Sequence, residues 1–158
     1  MAFRLATATV SARLSGQRGR AIVTAKGHHF IVDSPLTLGG PNEEVNPIDL
    51  LLSSLASHGA FMCERVAREM SIPLKSVSML ATGSYDPRGV TGEPVDPRIQ
   101  AIKLRVAFEG ITVEQGQVLA DAYRTRCPVY ATLSRAVPIE IEVTCDMPPV
   151  EETRQLDA

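Results

Sequence analysis

The chain has 158 residues, 22% of them charged, and a formal net charge of −2. That length suits one domain with a real core, and the balanced charge leaves no electrostatic footprint for nucleic acid or an anionic membrane. Three widely spaced cysteines fit neither a secreted disulfide framework nor a zinc site. The N-terminal residues alternate like a strand and lack the apolar run of a signal peptide, so a cytoplasmic, mixed α/β protein is expected.

Residues 3–14 alternate, turn residues follow at 15–19, and segments 20–25 and 29–32 complete an antiparallel meander. Residues 33–45, with Pro35, Gly39, Gly40, Pro41 and Asn42, read as a loop. The stretch 46–70 is the most informative. Asn46 can cap a helix, Pro47 suits its first position, and Asp49 lies three beyond the cap. Leu51, Leu55, Met62, Val66 and Met70 recur at helical spacing, and Leu52, Ala56, Gly59 and Cys63 widen the stripe. A helix whose first half is apolar nearly all round should be buried on most sides, as a core helix and part of a subunit interface. Its serines and His58 make it too polar for a membrane span.

Pro73 ends that helix, and a strand is expected over 77–85. Residues 86–97 are turn-rich. In 99–108 the apolar residues at 102, 104, 106 and 108 face one way. Thr112, with Gln115 three later, caps a helix to about 126; Pro128 restarts a short helix to 135, and 137–143 alternate as a closing strand. One domain over 1–147 is expected, with 148–158 an acidic, frayed tail. Strands and helices arrive in blocks, the pattern of an α+β fold.

Cys127 stands before Pro128 as a cap. There unpaired backbone N–H groups and the positive end of the helix dipole favour thiolate, and Arg124 and Arg126 add positive charge nearby; the plainer reading is a buried structural cysteine. Cys63 belongs to the apolar stripe and Cys145 to the end of the closing strand, so both read as structural. His58 is either a neutral core histidine or a catalytic one. It stands about 140° around the helix from Cys63, so one pocket cannot easily use both. His28 and His29 adjoin on a strand and point to opposite faces, against a metal site. Arg18 and Arg20 flank a tight turn, either as surface charges or as a donor fork for a thiolate or peroxide oxygen.

A strand meander ending in Gly-Gly-Pro, then Asn-Pro-x-Asp-Leu-Leu-Leu, a long apolar helix, Asp-Pro-Arg-Gly and Cys-Pro-Val-Tyr-Ala-Thr-Leu together resemble the OsmC/Ohr superfamily, across roughly residues 4–145. The resemblance implies an OsmC-like α+β fold, with antiparallel sheets wrapped around long central helices in an intertwined homodimer. It implies active sites at the subunit interface and thiol-dependent reduction of organic hydroperoxides with a dithiol reductant. No cofactor or metal is implied. The family's second cysteine falls on Cys127, but its attacking cysteine falls on His58. Its acidic partner falls on Ile48, with Asp49 displaced by one, and its first-turn arginine falls on Arg18, with Arg20 the alternate.

An imidazole cannot form the sulfenic acid that peroxide cleavage requires. Three accounts follow. Cys127 acts alone, with His58 as its base and orienter and Arg18 stabilising the departing oxygen. Cys63 reaches the pocket through a helix distortion at Gly59. Or the scaffold is non-catalytic and binds a small apolar ligand in the interface pocket.

Overall fold

The computed structural model describes residues 4–148, and the segment from 149 onward, read above as a frayed tail, lies outside them. The chain folds as two compact units that divide after Leu51.

The first unit is an antiparallel sheet in the order β1 (Val10–Leu14), β2 (Arg20–Ala25), β3 (His28–Asp33). The first strand is shorter than its alternation suggested: residues 4–9 alternate but are unpaired. Between β2 and β3 the loop is two residues, Lys26 at φ 50° and Gly27 at φ 82°. Both positive angles are those of the hairpin turn whose twist matches the strands. The loop after β3 is tied back to the sheet, since Ser34 N–H donates to the Gly19 carbonyl at 2.7 Å and Asp33 N–H to that of Val45 at 3.0 Å.

Its anchor is Asp33, a carboxylate only 1% exposed. The Arg20 fork donates to it at 2.8 and 2.7 Å, and the backbone N–H groups of Glu43 and Glu44 at 3.0 and 3.1 Å. The Arg20 bonds foremost, then the Glu43 N–H, outweigh burial and hold the carboxyl down at about 2. A buried charge survives only when paired and hydrogen-bonded in this way.

Helix α1 (Pro47–Glu69) opens as its sequence predicts. The Asn46 side chain accepts from the N–H groups of Ile48 and Asp49 at 2.8 and 3.1 Å, and Asp49 returns the bond by accepting from Asn46 N–H at 3.1 Å. Its end is set before Pro73 is reached. Ser71 takes φ 54°, Ile72 N–H donates to Ala67 and Ser71 N–H to Arg68. That is a Schellman closure with serine in the left-handed position usually given to glycine.

The second unit continues α1 and adds β4 (Ser76–Ser84), β5 (Ala101–Glu109), α2 (Val113–Arg126), α3 (Pro128–Leu133) and β6 (Ile139–Cys145). The sheet order is β4–β5–β6, antiparallel then parallel. The parallel pair follows because β5 and β6 are joined through two helices, which carry the chain back to its starting end. Ile102, Leu104, Val106 and Phe108 of β5 are all at most 2% exposed, while Lys103 and Arg105 between them face out. Against this face lie Leu55, Met62, Cys63 and Val66 of α1 and Leu119 and Tyr123 of α2. Thr112 and Gln115 cap α2 reciprocally, at 3.0 and 3.3 Å.

Within the chain α1 buries a single stripe, and its other side is open, with Phe61 65% and Leu51 37% exposed. Period alone gives the apolar positions of a helix; it does not say what covers them.

Candidate active site

Cys127 is both the last cap of α2 and the first cap of α3. Its N–H donates to the Tyr123 carbonyl at 3.0 Å, and its sulfur accepts the N–H of Tyr130 at 3.3 Å. Pro128 makes this arrangement natural, because a proline at the first helical position costs no hydrogen bond and leaves the residue before it extended. The N–H bond fixes where the sulfur points. The charges foreseen around it from sequence are weaker. Helix α3 has six residues, so its dipole is small. The neighbouring arginines are already paired: Arg124 with Asp121 at 2.5 Å, and Arg126 with Glu69 at 2.7 and 3.2 Å. Glu69 lies 57 positions away in sequence from Arg126, so nothing local announced it.

The Cys127 side chain is fully buried. Tyr123, also 0% exposed, lies one helical turn before it and sends its hydroxyl to the Leu55 carbonyl of α1 at 3.0 Å. Burial first, then the neighbouring thiols of Cys127 and Cys63, push the phenol well above its ordinary value. Its ring meets Tyr130 edge-on, with centroids 5.3 Å apart. Sequence reasoning passed over Tyr123. Its spacing of four from Cys127 on a capped helix was the available signal.

His58 sits on the flank of the buried stripe of α1, partly covered. Its Nδ1 is buried and has no hydrogen-bond partner among the described residues. An unpaired buried nitrogen is costly, and it leaves the ring able to donate to or accept from an incoming group.

Cys63 is placed otherwise. Helix α1 runs unbroken through Gly59, so the distortion that would bring Cys63 round to the His58 side is absent. The thiol is fully buried, points to the Leu119 carbonyl at 3.8 Å, and is pushed up to about 12 by desolvation. It is a packing residue. Cys145 is partly buried with its S–H directed to the Thr112 carbonyl at 3.4 Å.

Arg18 belongs to the first unit, where it is exposed and lies against Gly39. The alternate, Arg20, is committed to Asp33, to Glu43 at 2.7 Å and to Gln17 at 2.9 Å. Among the described residues no group of His, Cys, Asp or Glu could hold a metal ion, and no helix is long and apolar enough to cross a membrane.

Comparison with known proteins gives one family. The model of the OsmC-like protein family matches residues 40–142. No curated protein matches the chain. Among solved structures, the OsmC like protein from Mycoplasma pneumoniae is similar at a TM-score of 0.76 and 19% identity, over 89% of this chain and 97% of that one. The organic hydroperoxide resistance protein from Elizabethkingia anophelis, with crystallant-derived thiocyanate bound, matches at 0.72 and 18%, over 90% and 99%. The organic hydroperoxide resistance protein OhrB of Bacillus subtilis matches at 0.63 and 22%, over 89% and 100%. At these identities the structures speak to the fold: the α+β, OsmC-like architecture.

Proposed function

Since the chain belongs to the OsmC-like protein family, we propose that it serves the cellular response to organic hydroperoxides with one working sulfur, Cys127. The supporting observation is the Tyr130 N–H donated to the Cys127 sulfur at 3.3 Å, which fixes the direction the sulfur presents. In this reading the thiolate attacks the distal oxygen of a hydroperoxide. The O–O bond breaks, the sulfur becomes a sulfenic acid, and the alkoxide leaves as an alcohol with a proton from His58. A dithiol then reduces the sulfenic acid back to thiol, releasing water and its own disulfide. In this reading His58 takes the place that the resemblance gives to the family's attacking cysteine.

The same proposal makes the protein a cytoplasmic homodimer with its site at the subunit boundary. The open side of α1 supports it: the exposed Phe61 lines a groove whose apolar residues Ile72, Leu74 and Val77 are bordered by Glu64, Arg68 and Lys75. A second reading, a non-catalytic binder of a small apolar ligand, is favoured by the complete burial of Cys127.

The test is cumene hydroperoxide consumption with a dithiol reductant, for wild type, Cys63→Ser, Cys127→Ser and His58→Cys. Consumption by wild type and Cys63→Ser, lost in Cys127→Ser and raised in His58→Cys, is expected, because the second thiol adds a nucleophile and a disulfide partner for Cys127 that outweigh the lost proton donor. Activity in Cys127→Ser equal to wild type would sink the enzyme reading.

A further inference from the structure

We propose that Tyr123 is the positioning residue of this site: it bolts the last turn of α2 to α1 and, through Tyr130, holds the N–H that the Cys127 sulfur accepts. The inference deepens the reading above and rests on Cys127 being the reacting sulfur. Three contacts carry it. The Tyr123 hydroxyl donates to the Leu55 carbonyl at 3.0 Å, one turn before Gly59 and three residues before His58. Gly59 is bare where the ring passes, and a Cβ there would stand 3.0 Å from Tyr123 Cζ. At its other side the ring meets Tyr130 edge-on, and Tyr130 N–H is the donor to Cys127.

One side chain thus touches the α1 turn beside His58 and the α3 turn that holds the thiol. The Leu55 carbonyl has a second lone pair to offer beyond its helical bond, so the bolt costs α1 nothing. The Tyr123 hydroxyl is spent on this bond, so its influence on the sulfur passes through geometry.

The ionisable groups around Cys127 are few. Tyr123 comes from α2, Tyr130 from α3 and Cys63 from α1, while Arg124 and Arg126 are neutralised by Asp121 and Glu69. A change in Cys127 ionisation on altering Tyr123 therefore reports the Tyr130 N–H contact more than any shifted charge.

The experiment is a pH titration of protein carrying 13Cβ-labelled cysteine, read by NMR, with Cys127→Ser for assignment and Cys145 as the internal reference. Tyr123→Leu removes the ring that supports Tyr130. The Cys127 midpoint should rise by about half a pH unit or more, roughly threefold less thiolate at fixed pH, because a hydrogen bond to the charged form is loosened. Tyr123→Phe keeps the ring and should leave the midpoint in place, while lost registration slows hydroperoxide consumption about tenfold.

A residue that merely stabilises the fold would lower the melting temperature and leave the Cys127 midpoint unmoved relative to Cys145. That result, in a folded Tyr123→Leu, overturns the proposal. If Tyr123→Leu does not fold, Tyr130→Leu deletes the same ring contact from the less buried side and must raise the midpoint alike. The titration needs no turnover. Wild type inert to hydroperoxide would refute the functional reading, while the midpoints alone would still decide the role of Tyr123.

Discussion

Alanine at Gly59 tests the packing of α1 against α2 more sharply than any truncation. In an open helix interior alanine is favoured over glycine by about 1 kcal/mol. Here the added methyl would stand 2.5 Å from the Met79 sulfur, 3.0 Å from Met79 Cε and 3.0 Å from Tyr123 Cζ. Met79 ends in a flexible thioether and can swing aside. Tyr123 cannot, because its hydroxyl is fastened to Leu55 and the ring is wholly buried. Overpacking of one methyl in a tight core costs about 1–3 kcal/mol.

The difference leaves Gly59→Ala destabilised by about 1 kcal/mol, or about 2–4 °C in Tm for a domain of this size. Urea unfolding followed by circular dichroism measures it. Pairing the change with Met79→Ala should restore part of the loss, with a coupling of about 1 kcal/mol between the two sites. Gly59→Ala more stable than wild type by the full helix-propensity gain would refute this account of the contact.

Two further outcomes follow from the charged and thiol groups. Arg126 first, then Arg65, holds the Glu69 carboxyl at about 2 against an ordinary value of 4.5. The group is depressed in the folded chain, so its contribution is complete above pH 4.5 and disappears as pH falls toward 2. Glu69→Gln should flatten the decline of the urea midpoint across that window, and an unchanged slope would contradict the pairing. Cys63, with its thiol pushed up to about 12, should resist iodoacetamide at pH 8 in the folded protein. Peptide mass spectrometry showing Cys63 modified as fast as Cys145 would contradict its placement.

What was legible in the sequence was local. Asn46, Pro47 and Asp49 wrote the start of α1, Thr112 and Gln115 that of α2, and the alternation through Ile102 and Phe108 the buried face of β5. Each signal joins residues within a few positions, where backbone geometry fixes who meets whom. The order of short motifs likewise carried the family, and the OsmC-like match over residues 40–142 bears it out.

What was illegible depended on distant partners. Arg126 looked like a free cation until Glu69 was found on it, and Arg20 looked like a surface charge until Asp33 was found buried beneath it. The left-handed Ser71 hid behind the more obvious Pro73. Tyr123 went unread, since only the fold brings Leu55 to its hydroxyl.

The central claim is that the Cys127 sulfur meets the peroxide. Brief exposure of wild type to cumene hydroperoxide in the presence of dimedone, followed by peptide mass spectrometry, tests it most directly, because dimedone captures sulfenic acid at the sulfur where it forms. The account predicts the adduct on the peptide bearing Cys127, and its absence from those bearing Cys63 and Cys145. An adduct confined to either of the other two, or hydroperoxide consumed with Cys127 never labelled, would contradict it.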